Sequence, residues 1–224
     1  MARESNFKNM VITLLAVTFI ASASLGLVNE LTKGAIEKAS IDGQNKAIAA
    51  ILPQFDHLGK SYKLLPEGET DSIEFFPALN ADSQLVATAI KTYTKKGFSG
   101  LFTVMVGIDT DGTITGYKVL QHQETPGLGS KMQLWFSSKD KPEQNIIGKN
   151  PTTVNFTVKK DGGAIDAITA ATISSRAFLE SIRRAHSTWK GERDAISGAT
   201  TKVDKEKQLT QEAQPEVKEE GGNL

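Results

Sequence analysis

Leu101–Gln121 reads LFTVMVGIDTDGTITGYKVLQ, and this stretch decides the fold. Leu101–Ile108 is a nearly unbroken apolar run, suited to a buried strand. Asp109-Thr110-Asp111-Gly112 is a turn, because Asp-Gly readily takes positive backbone dihedrals. Ile114–Gln121 follows as the paired strand, with Ile114, Gly116, Lys118 and Leu120 alternating against Thr115, Tyr117, Val119 and Gln121. Working outward, Leu85–Tyr93 mixes β-branched and apolar residues, and Val154–Val158 is a further short strand candidate. Ile173–Trp189 has the pattern of an amphipathic helix, with Phe178, Ile182, Ala185 and Trp189 on one stripe. Together these predict an α+β fold: an antiparallel sheet from residues 85–160 with packed helices. A dinucleotide-binding doubly wound sheet is disfavoured, since no Gly-x-Gly-x-x-Gly follows a strand.

The N-terminal part is of another kind. Met10–Val28, MVITLLAVTFIASASLGLV, holds no charged residue. At the helical rise it spans roughly 28 Å, close to the hydrocarbon thickness of a bilayer. It predicts one N-terminal transmembrane helix, residues 10–28, behind a cytoplasmic end at 1–9. A cleavable signal peptide is the competing reading, with Ala21-Ser22-Ala23 as the cleavage site and Arg3 and Lys8 as a thin basic region. The apolar run continues past that site through Leu25 and Val28, which favours a retained anchor. Glu30–Leu52 is helical by spacing and ends at Pro53. Residues 29–84 are therefore expected as a stalk and connecting region, 85–201 as the folded domain, and 202–224 as a disordered charged tail without aromatic residues.

Composition narrows the function. Lys plus Arg is 26 and Asp plus Glu is 26, so no global field recruits polyanions, and no nucleic-acid partner is expected. The absence of cysteine removes disulfides, cysteine zinc sites, iron–sulfur ligation, thiol catalysis and a lipobox. The three histidines, His57, His122 and His186, form no metal-ligand spacing, so no metal site is assigned.

Two segments carry chemistry. Asp166-Ala167-Ile168-Thr169-Ala170-Ala171-Thr172-Ile173-Ser174-Ser175 leads small residues and hydroxyls into the start of a helix. Hydroxyls and free N–H groups there suit an anion such as phosphate. The same residues also suit plain helix caps, which spacing alone favours. His122-Gln123-Glu124-Thr125-Pro126-Gly127-Leu128-Gly129-Ser130-Lys131 follows the second hairpin strand. Its proline and glycines make a shaped loop whose backbone can approach a planar ligand, or else a tight turn into Met132–Phe136.

The hairpin Gly100–Gln121, then HQETPGLGSK, then DAITAATISSRA resemble, in this order, the FMN-binding domain of the G subunit of the Rnf ion-translocating electron transport complex. The C subunit of the sodium-pumping NADH:quinone reductase is a close relative of that family. The resemblance covers most of residues 10–190. It implies FMN esterified through its phosphate to the motif threonine, here Thr172, by a separate flavin transferase that uses FAD and a metal ion. Asp166, Thr169, Ala170 and Ala171 match the recognition pattern, and Ile173 and Ser174 continue the site into the helix. The loop is implied to lie against the isoalloxazine ring, making Glu124, Thr125, Gly127, Leu128 and Gly129 flavin contacts, with Lys131 reaching ring or phosphate oxygens. Position 170 is Ala where the family usually has Gly. A second match, Asp194-Ala195-Ile196-Ser197-Gly198-Ala199-Thr200, makes Thr200 a second candidate acceptor, but no apolar stripe follows it.

The resemblance implies a membrane-anchored flavoprotein that relays electrons within an ion-translocating oxidoreductase complex, with no complete catalytic cycle of its own and no catalytic residues assigned. Its partners would be the other membrane subunits of the complex. The expected location is the cytoplasmic (inner) membrane, single-pass, with the FMN domain on the periplasmic or extracellular side. The alternatives are a stand-alone exported flavin-dependent reductase or electron carrier, and an anchored binding module without redox chemistry.

Overall fold

The structure is a computed structural model, and it describes residues 7–196. Thr200, the tail at 202–224 and the first residues of the N-terminal end lie outside the described residues. The chain divides into two units, Met1–Lys46 and Ala47–Leu224.

The first unit holds most of helix α1, which runs unbroken over Phe7–Ile51. It is long and apolar enough to cross a membrane, and its apolar window is fully exposed. Its three threonine hydroxyls bond locally. Thr13, Thr18 and Thr32 donate to the carbonyls of Asn9, Leu14 and Val28 at 2.8, 2.9 and 2.8 Å. Each bond satisfies a hydroxyl against the helix's own backbone.

The second unit is built on a six-stranded sheet of β1 (His57–Leu58), β2 (Tyr62–Leu64), β3 (Ile73–Leu79), β4 (Leu85–Gly97), β5 (Gly100–Asp109) and β6 (Ile114–Gln121). The strand order is β1-β3-β4-β5-β6, with β2 also on β3, and every pairing is antiparallel. Both faces of the sheet are covered. On one, Phe75, Ile90, Val104 and Val106 pack with Phe178, Ile182, Ala185 and Trp189 of helix α3 (Thr172–Ile196). On the other, Phe76, Ala89 and Met105 pack with Ala47, Ile48 and Ile51 at the end of α1 and with Leu52. Neighbouring residues thus go to opposite cores, which is why Val104, Met105 and Val106 are all buried and the β5 run is nearly continuous rather than alternating.

Two expectations change here. Residues 57–79, expected as connecting region, supply three strands to the sheet. Pro77 hides β3 from a sequence reading, since it cannot donate to a ladder; its carbonyl still accepts from Gly59 N–H at 2.8 Å. Val154–Val158 forms no strand, and only Val158 makes an isolated bridge, with Ile165. Asn150 folds this segment back on itself. Its side-chain oxygen accepts from Thr152 N–H at 2.8 Å and its carbonyl from Val154 N–H at 2.9 Å.

Candidate functional site

The loop after β6 is shaped by its own short-range bonds. The imidazole Nδ1 of His122 accepts from Glu124 N–H at 3.2 Å. Thr125 O accepts from Leu128 N–H at 3.1 Å, and Gly127, at φ 75°, donates to Ser130 Oγ at 2.9 Å. The chain then enters helix α2 (Met132–Trp135), whose Met132 carbonyl accepts from the Tyr117 hydroxyl at 2.8 Å. Burial pushes that phenol up to about 12, so it stays a donor throughout the physiological range.

The approach to α3 is equally defined. Trp135 Nε1 donates to Asp166 O at 3.0 Å, tying α2 to this segment. Ala171 N–H reaches back to Ile168 O at 3.0 Å and closes a turn in which Ala170 has φ 62°. A positive φ at the third residue alone marks a type II turn, where glycine is preferred. The glycine usual at this place in the resembled motif suits that backbone, and the alanine at 170 holds the same conformation against its preference. Ser175 Oγ staples the turn to the helix, accepting from Ile168 N–H and donating to Ala171 O, each at 2.9 Å.

The two motif segments meet. Glu124, Thr125, Leu128 and Gly129 line one pocket of about 310 Å³ with Ala170, Ala171, Thr172, Ile173, Ser174 and Phe98. Glu124 is buried at its base: Oε2 accepts from Ser174 Oγ at 2.9 Å, and Oε1 from Ser99 N–H at 3.3 Å. Gly129 packs directly on that pair, and a Cβ there would lie 2.7 Å from Ser174 Oγ and overlap the Glu124 carboxylate. The hydroxyls of Ser174 and Ser175 are thus spent on structure. Thr172, the first residue of α3, lines the pocket, and its hydroxyl has no hydrogen-bond partner among the described residues. The first N–H groups of α3 have no acceptor within the helix. Phe98, Leu128 and Ile173, exposed by 68, 39 and 49%, give the pocket apolar walls. The donor set and the walls fit a ligand with an anionic tail and a flat apolar body.

The remaining expected site residues lie outside this lining. Lys131 borders a neighbouring depression with Gln133, Leu134 and Trp135. Asp166 forms an ion pair with Lys159 at 2.9 Å, and Thr169 is exposed on the turn. Gly127 shapes the loop without lining the pocket. Phe98 lies outside both motifs, and its sequence signal is an aromatic residue inside the turn Gly97-Phe98-Ser99-Gly100.

The fold is that of an FMN-binding domain: residues 97–187 match the family model of that name. More narrowly, the chain belongs to the family of G subunits of the ion-translocating oxidoreductase complex. The family member from Vibrio vulnificus is 34% identical over 181 residues, covering 75% of this chain and 84% of that protein. The one from Shewanella amazonensis is 33% identical over 188 residues, covering 81% and 87%. The crystal structure of Shewanella oneidensis NqrC is similar over 57% of this chain and 62% of that one, at 21% identity and a TM-score of 0.38.

Proposed function

We propose that this chain is the membrane-anchored electron-relay subunit of an ion-translocating oxidoreductase complex, carrying FMN esterified through its phosphate to Thr172. One observation carries the reading. Two motifs distant in sequence line a single pocket in which the Thr172 hydroxyl alone among the helix-start hydroxyls, Thr172, Ser174 and Ser175, is left without a bond.

Thr172 holds the phosphate at the opening of α3, where the helix N–H groups and dipole stabilise its remaining negative charge. The buried Glu124–Ser174 pair fixes the loop against the helix. Leu128 and Ile173 exclude water from the flat part of the cofactor. FMN, when bound, supplies the reversible uptake and release of electrons. The ester makes retention independent of affinity, as a carrier outside the cytoplasm needs. α1 anchors the chain in the inner membrane, with the FMN domain on the periplasmic or extracellular side. The other membrane subunits supply and remove electrons and move the ion, and a flavin transferase installs the cofactor.

The full chain, expressed in membranes with a flavin transferase, tests this. It should fluoresce in a denaturing gel and gain the mass of FMN less water, and Thr172→Val should abolish both. An adduct that survives this change and disappears only with Thr200→Val moves the site elsewhere. Co-purification with integral-membrane subunits separates the complex from a solitary reductase.

A further inference from the structure

We propose that Phe98 is the aromatic cover of the flavin ring, a ring-contact residue supplied by the β4–β5 turn outside both motifs; this rests on the FMN reading above. Three exposed apolar side chains, Phe98, Leu128 and Ile173, come from three separate elements and converge on one pocket. Scattered exposed apolar residues need no explanation, but a convergent set around a concavity marks a ligand surface.

The turn that carries Phe98 is built to a fixed position. Its strands slip register between Thr94 and Gly97, and Gly97 then pairs with Gly100, which has φ 94°. A Cβ at Gly97 would lie 2.5 Å from Gly100 O, 2.6 Å from Glu124 Oε1 and 2.9 Å from Phe102 Cδ1. Only glycine lets the turn close down on the carboxylate. Ser99 N–H then donates to Glu124 Oε1 at 3.3 Å, while the other oxygen of Glu124 is held by Ser174 of α3. One buried carboxylate therefore fixes Phe98 relative to the helix that begins at Thr172. The pocket is lined by the start of α3 with Thr172 and by the apolar side chains of Phe98, Leu128 and Ile173. A ligand tethered at Thr172 has its flat body left to cover, and an aromatic face is the surface that stacks on it.

The test uses the full chain matured with FMN. Phe98→Ala and Phe98→Trp are made, attachment is counted by mass on denatured protein, and flavin fluorescence is read on folded protein. Phe98 is exposed, so both variants should fold with an unchanged urea midpoint and carry wild-type amounts of flavin. In Phe98→Trp an electron-rich indole in contact with the ring should lower the fluorescence severalfold. In Phe98→Ala collisional quenching of the flavin by iodide should become severalfold stronger. Absence of either effect with flavin attached overturns the proposal alone. Loss of attachment in both variants also overturns it, because Phe98 then serves maturation rather than cover. A wild-type chain that carries no flavin overturns the FMN reading and this proposal with it.

Discussion

The Ser174 hydroxyl donates at 2.9 Å to the carboxylate of Glu124, two buried side chains 50 residues apart. This bond joins the loop after β6 to the start of α3, and so assembles the pocket. Ser174→Ala should leave a buried carboxylate short of a donor, at a cost of about 1.5–3 kcal/mol. A lower urea midpoint together with reduced flavin attachment checks it; an unchanged midpoint removes the clamp role.

Ala170 occupies the left-handed region at φ 62°. An alanine there costs roughly 1–2 kcal/mol, partly offset in a glycine variant by the greater freedom of the unfolded chain. Ala170→Gly should therefore raise stability by about 0.5–1 kcal/mol and leave attachment intact. A β-branched residue at the same place, as in Ala170→Val, should do the opposite in the same denaturation assay.

The end of α1 belongs to the second unit. Ile48 is 1% exposed and packs with Phe76, Ala78, Ala89 and Met105 on the sheet. Ile48→Ala should cost about 2–5 kcal/mol. A chain starting at Ala47 should leave the membrane fraction yet keep the wild-type midpoint of the folded unit, whereas one starting at Pro53 should be markedly less stable. Equal stability of the two truncations would contradict the packing.

His186 is buried, with Nε2 at 3.1 Å from Gly112 O. Burial draws it below its ordinary value of 6.5, the bond to Gly112 opposes this, and Lys190 adds to it. The unfolded chain therefore binds the proton first as pH falls. The contribution to stability is whole above 6.5 and is lost as the pH drops below it toward the folded value. Urea midpoints taken stepwise through that range should fall less steeply in His186→Gln than in the wild type; parallel curves would clear His186.

The chain has no cysteine, so a single reporter can be read without background. Lys118 is exposed on β6. In Lys118→Cys, a membrane-impermeant maleimide should label cells whose inner membrane is intact. Labelling that appears only after lysis would reverse the proposed orientation.

By itself the sequence determined the local periods and the chemistry. The β5–β6 hairpin was legible because Asp111-Gly112 permits the turn and apolar residues flank it, and α3 because its stripe recurs at the helical period. The two motifs were legible only in combination and order, because hydroxyls at a helix start also suit plain caps and a Pro-Gly loop also suits a tight turn. Tertiary structure decided what local patterns cannot encode. β1 and β2 are too short, and β3 too interrupted by Pro77, to stand without partners. The nearly continuous apolar run of β5 has its reason in the tertiary structure, where the end of α1 and α3 cover opposite faces of the sheet. Phe98 and Thr172 became neighbours on one pocket because a single buried carboxylate, Glu124, ties a turn to a helix. Such a contact is made between residues far apart in the chain, and its geometry exists only after the sheet has folded between them.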